Sequence, residues 1–167
     1  DIASVLRILS NRAVLNLGNR GNGALIEYAS LREYIKPNVK NILWLYYEGN
    51  DLSDLKSELN SQILNKYLKD SNFSQNLKFN QNQIDKLALN IIKDNRNNYT
   101  SSKLIKFIKM RKLRSSLQSK NSKINKSQTQ NQTQQHLEFA KILKLTKDLA
   151  LKNNSKLYFV YLPTYWR

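Results

Sequence analysis

The stretch Val14–Leu52, VLNLGNRGNGALIEYASLREYIKPNVKNILWLYYEGNDL, decides the fold. Val14–Leu17 is a short apolar run ending in Gly18, which predicts a buried strand. Gly18, Gly21 and Gly23 then fall within six residues; the chain has 4 glycines, and the remaining one is Gly49. From Ala24 to Ile35 the period changes: Ala24, Tyr28, Leu31 and Ile35 share one helical stripe, and Pro37 stops the helix because it lacks an N–H and clashes with the preceding turn. Ile42–Tyr47 is a continuous apolar, aromatic-rich run. A run that does not alternate predicts a strand covered on both faces, as in a parallel sheet. It gives way abruptly to Glu48-Gly49-Asn50-Asp51. The stretch therefore reads as strand–loop–helix–strand–loop, with Asn16–Gly23 and Glu48–Asp51 presenting polar groups at one sheet edge.

The same reading extends outward. Ile2, Val5, Leu6 and Leu9 recur at helical spacing, predicting a short helix over Asp1–Ser10 with Asp1 placed to cap it. Downstream, Leu52, Leu55, Leu59, Ile63 and Tyr67 mark one long helix, and Ile84, Leu87, Ala88 and Ile91 another. Phe139, Ile142, Leu143, Thr146, Leu149 and Ala150 form a third stripe, followed by another run read as a buried strand, Leu157–Leu162, which ends at Pro163. Strands alternating with helices predict an α/β domain with a largely parallel sheet and right-handed crossovers. The loops Gly18–Gly23, Glu48–Asp51 and Pro163–Arg167 would then meet at the carboxyl edge, where open α/β sheets place their sites.

Composition narrows the chemistry. The 167 residues suffice for one domain, here read as a single partial domain over 1–167 that carries a basic polar insertion at 99–136. Cysteine is absent, which excludes disulfides and thiolate chemistry, and the single histidine, His136, excludes a multi-histidine metal site. No apolar run approaches the roughly 20 residues of a membrane span. No signal peptide is visible, and Asp1 and Arg167 both look like cut ends; a cell-envelope or extracytoplasmic location is open, and a cytoplasmic one is not excluded. The formal charge is +16. Such a chain invites a polyanion partner, yet Lys, Asn and Ile are abundant throughout, as an AT-rich genome dictates. Tyr99–Gln135 has no acidic residue and carries nine Lys and Arg; its second half, Ser115–Gln135, reads as a disordered Ser/Gln/Asn/Lys linker.

The loops carry the chemistry. In Asn16–Gly23 glycines let backbone N–H groups approach a ligand, and the loop runs into a helix N-terminus, a place that favours an anion or oxyanion; the same glycines also suit a tight turn with positive φ. In the second loop, Asp51 can cap the helix that starts at Leu52, leaving the Asn50 amide as a donor above the sheet edge. Together these blocks resemble the SGNH hydrolases, the broader family of the GDSL esterases. Asn16–Gly23 looks like that family's Gly block and Gly49-Asn50-Asp51 like its Asn block, separated as there by one helix and one strand.

The resemblance implies a three-layer αβα, flavodoxin-like parallel sheet and an acyl-transfer enzyme, an esterase, lipase-like hydrolase or O-acyltransferase, needing neither metal nor cofactor. The Gly21 N–H and the Asn50 amide would be two of three oxyanion-hole donors. The implied substrate is an ester, with an acylated carbohydrate suggested by family habit. The chain departs from the pattern in two blocks. No Gly-Asp-Ser block is present, and by resemblance it belongs on a strand upstream of Asp1; no Asp-x-x-His block is present, and it belongs just beyond Arg167. Ser10 ends a helix without a preceding Gly-Asp, and His136 lies in a Gln-rich stretch before a helix. The chain therefore reads as a central fragment holding the oxyanion loops only, inactive by itself because a serine hydroxyl needs an adjacent base.

Two other readings stay open. A Gly-rich loop, a helix and a second strand ending at Glu48 outline a Rossmann-like nucleotide site, although the glycines do not follow Gly-x-Gly-x-x-Gly and Gly49-Asn50-Asp51 has no role there. A P-loop is excluded, since no Gly-Lys-Ser/Thr follows. Alternatively, 99–136 makes the chain a non-enzymatic polyanion-binding protein, although nucleic-acid faces interleave aromatics with their basic residues and only Tyr99 and Phe107 are near. Glu48 and Asp54 resemble a carboxylate pair in spacing alone and read as solvated or capping groups.

Overall fold

The structure, a computed structural model, describes residues 1–93 and 127–165. The chain divides into two compact units, Asp1–Gln75 with Gln132–Arg167, and Asn76–Asn131.

In the first unit α1 spans Ile2–Ser10 and is capped as expected, the Asp1 side chain accepting from Ser4 N at 2.6 Å. Helix α2 spans Ala24–Tyr34 and strand β1 Asn41–Tyr47. The single long helix expected after Leu52 is two helices, α3 over Asp51–Glu58 and α4 over Gln62–Lys69. The break has a local cause. Ser61 caps α4 by accepting from Leu64 N at 3.3 Å, and Asn65 Nδ2 donates to the carbonyls of Leu59 and Ser61, so polar side chains satisfy backbone groups that a continuous helix would have paired.

Strand β2, Lys156–Leu162, pairs with β1 in parallel, in a register running from Asn41 opposite Lys156 to Tyr47 opposite Leu162. The crossover returns through the helix Ser127–Lys152. Residues 81–93, in the second unit, are also helical; we call this helix α5 and Ser127–Lys152 α6. Residues 127–135, expected to be linker, thus belong to α6. Their run of Gln contains neither Gly nor Pro, and Gln is a good helix former. The rest of the basic stretch, 99–126, lies outside the described residues.

The chain is therefore α/β with a parallel sheet, two-stranded among the described residues. Two expectations about the strands fail. Val14–Leu17 forms no strand; residues 13–19 have no regular structure. A strand needs a ladder to satisfy its backbone, and here the Val14 carbonyl is taken instead by Arg7 Nε and Nη2, at 2.9 and 2.7 Å. Nor is either strand covered on both faces: the run Leu157–Leu162, expected to be buried, leaves Tyr158, Phe159, Tyr161 and Leu162 exposed in β2, and β1 is covered on one face only. Ile42, Trp44 and Tyr46 are buried, whereas Leu43 and Tyr47 are exposed. The buried face meets α6, with Tyr46 and Phe139 ring centroids 4.9 Å apart, and a core built from Leu25 of α2, Leu55 of α3, Tyr67 of α4 and Ile142 of α6. The α6 stripe read from the sequence is the one that packs: Ile142, Thr146 and Ala150 are buried, and Phe139, Leu143 and Leu149 lie against the core.

Arg32 ties α2 to the end of α4. Its guanidinium donates to the carbonyls of Tyr67, Asp70, Ser71 and Phe73 and lies 5.1 Å from the Tyr67 ring centroid. Beside it, the buried Glu33 carboxylate accepts from Tyr67 Oη at 2.5 Å, Ser74 Oγ at 2.9 Å and Gln75 N at 2.7 Å.

Candidate functional site

Because β1 and β2 run parallel, the loops that follow them leave the sheet at the same end. They touch there: Thr164 N and Oγ1 donate to Glu48 Oε2 at 3.0 and 3.1 Å. The turn from β1 into α3 is closed by Asp51, whose Oδ2 accepts from Tyr47 N at 2.6 Å. Asn50 rather than Asp51 occupies the cap position of α3, and its side chain makes no capping hydrogen bond. The Asn50 Nδ2 instead donates to Asp54 Oδ2 at 2.5 Å. One Nδ2 hydrogen is so engaged; the other donates to none of the described residues.

The glycine loop ends on the same helix. Glu58, buried at the far end of α3, accepts from Gly23 N at 2.5 Å, Leu25 N at 3.0 Å and Ile26 N at 3.4 Å. These are orphan donors of the first turn of α2, and a carboxylate there also meets the positive end of the helix dipole. The packing is close enough to demand glycine. A Cβ on Gly23 would lie 2.7 Å from Leu55 N and 2.8 Å from Glu58 Oε2. Gly21 is required for a different reason. Its φ is +82°, a conformation L side chains rarely adopt, within a turn closed by Asn22 N donating to Asn19 O. Gly21 is exposed, and its N–H donates to none of the described residues.

The anion-binding promise of the α2 N-terminus is therefore met internally, by Glu58. An external phosphate there would have to displace a buried carboxylate. What stays presented by the first loop is the peptide group at Gly21, before the filled turn.

The surroundings are acidic and partly buried. The Glu27 carboxyl, in the first turn of α2, is pushed up to about 7, first by burial and then by the charge of Asp51, with Glu58 adding in the same sense. The indole of Trp44 opposes this shift; its Nε1 is buried and meets no acceptor at full hydrogen-bond geometry. Burial likewise raises Asp51 and Glu58, against the backbone N–H groups that favour their ionised forms.

Ser10 and His136 belong to neither loop. The Ser10 hydroxyl bonds back to Leu6 O at 2.5 Å, and His136 is exposed on α6. Glu48 and Asp54 do not act as a pair: the first holds Thr164, the second Asn50. Sequence reasoning missed Glu27 and Glu58, and read Asp54 as a solvated or capping group where it holds the Asn50 amide. The four-residue spacing of Asn50, Asp54 and Glu58 was a visible signal; the contact between Gly23 and Glu58, 35 residues apart, was not. No group of three or more His, Asp and Glu able to hold a metal occurs among the described residues, and no described helix is long and apolar enough to cross a membrane. No family profile, curated protein or solved structure matches the chain.

Proposed function

We propose that this chain is the central part of an SGNH-type serine hydrolase domain, with Gly21 N–H and the Asn50 amide as oxyanion donors. The observation that carries the reading is the convergence on α3: Asn50 begins this helix, directly after a parallel strand, and the loop bearing Gly21 ends against its Asp54–Glu58 portion. The Asn50 amide is held by Asp54, the Gly21 turn is closed by Asn22 N donating to Asn19 O, and each donor keeps an N–H that meets none of the described residues. Such preorganised donors stabilise charge that develops during acyl transfer.

The reading includes a flavodoxin-like three-layer sheet. In that strand order the first strand lies between the second and third. Here it would fall between Val14–Leu17 and β1. The free edge of β1 has no strand partner among the described residues and is open to a further strand. The proposed enzyme acts on an ester, an acylated carbohydrate by family habit, through a serine and a histidine that these 167 residues do not place.

In the protein encoded by the full gene, Asn50→Ala should lower kcat toward aryl acetate esters by about 10²–10³, the typical loss of one oxyanion donor, with KM little changed. A wild-type rate from that variant would refute the role, and a gene lacking both a Gly-Asp-Ser and an Asp-x-x-His block would refute the class.

A further inference from the structure

We infer that the face of α3 formed by Asn50, Asp54 and Glu58 is the positioning element of the site, Asp54 fixing the rotation of the Asn50 amide and Glu58 fixing the base of the glycine loop. This rests on the hydrolase reading above and adds to it two positioning residues.

Asp54 and Glu58, four apart, lie one above the other on α3, and Asn50, the cap residue just before the helix, joins them through its bond to Asp54, so the three side chains follow one another along one side of α3. At its top the Asn50 amide turns about two side-chain bonds and would, unheld, point its donors in several directions. The Asp54 carboxylate takes one Nδ2 hydrogen at 2.5 Å. A bond to an ionised acceptor is among the stronger hydrogen bonds. Since the amide is planar and tethered to the backbone through Cβ, holding one hydrogen confines the direction of the other. Asp54 thus converts a mobile amide into a donor confined in direction, which is what a site built before the reaction begins requires.

At the other end of α3 Glu58 performs the matching task by a different means. Its two oxygens take three backbone N–H groups of the α2 entry, and the absence of a side chain at Gly23 lets the loop close to van der Waals contact with α3. The first turn of α2 is thereby removed as a competing anion site, and the Gly21 peptide, two residues upstream, becomes the outward-facing donor of the loop. A single helix of eight residues then sets the position of both donors.

The isosteric D54N removes the charge and keeps the shape. In the protein encoded by the full gene it should lower kcat toward aryl acetate esters about tenfold, less than loss of the donor itself, with KM and Tm unchanged. In a background already carrying N50A it should have no further effect, because the two residues act through one amide. E58Q acts on the other donor, so its loss should persist with N50A present. Equal effects of D54N with and without N50A would overturn the assignment, as would a D54N enzyme with wild-type kcat. The hydrolase reading fails separately, if N50A retains wild-type turnover. The positioning can then still be judged on the 167-residue chain by NMR. One Asn50 side-chain proton should be shifted downfield and slow to exchange, and should return to free-amide behaviour in D54N. Free-amide signals in the wild type would refute the role of Asp54 whatever the enzyme does.

Discussion

At the scale of a residue, Glu27 sits in an environment that opposes its ordinary state. Its folded pKa, about 7, lies above the ordinary 4.5, so the native protein binds a proton that the unfolded chain releases. The stability tied to that proton is complete below about pH 4.5 and is lost as pH rises through 7. Asp51 and Glu58 are raised as well and act with the same sign. Glu27→Gln should therefore stabilise the chain at pH 8, by up to about 3 kcal/mol from the size of the shift, and by little at pH 5. Urea unfolding at the two pH values checks this; equal stabilisation at both would mean that the carboxyl is not held protonated by the fold. Trp44 acts from the strand side, its buried indole favouring the ion.

At the scale of an element, α2 and α4 are joined through Arg32. Four carbonyls from the end of α4 and the following turn share one guanidinium, whose planar fork serves several acceptors at once where an ammonium is a point charge. Arg32→Lys should cost about 2 kcal/mol, as expected when partly buried carbonyls lose their donors, and should raise amide exchange over residues 67–75 before the rest of the unit. Uniform loosening would show that the clamp is not local. Elements were also where the sequence was most and least legible. The stripe of α6 follows directly from apolar period because that face packs on the core, and the two parallel strands were legible from their apolar runs, whereas α1 forms where its stripe predicted with Ile2, Val5 and Leu9 left exposed. The break at Ser61 did not, since Leu59 and Ile63 continue the apolar pattern while capping by Ser61 and Asn65 overrides it. Val14–Leu17 failed as a strand because apolar character is necessary for one and a ladder partner is decisive. Gly21 and Asn50 were legible as candidates from loop chemistry. Their supports, Asp54 and Glu58, were not, since an acidic residue on a short helix reads as solvent-facing until the chain segment it meets is known.

At the scale of the whole molecule, the hydrolase reading makes this chain a scaffold without its reacting groups. Purified alone, the 167 residues should hydrolyse aryl acetates no faster than their own N50A variant, and turnover above that baseline would mean that a serine and base within the chain have been overlooked. The parallel pairing of β1 with β2 has a consequence for synthesis. Glu48 and Thr164, which meet at the sheet edge, are 116 residues apart. At about 5–20 residues per second, the segment NILWLYY leaves the ribosome on the order of ten seconds before its partner exists. For that interval an uncharged, aromatic, strand-forming heptapeptide stands without the ladder it needs, which is the composition that drives cross-β association. The cell's handling of this nascent chain, more than the stability of the finished sheet, should set how much of the protein accumulates.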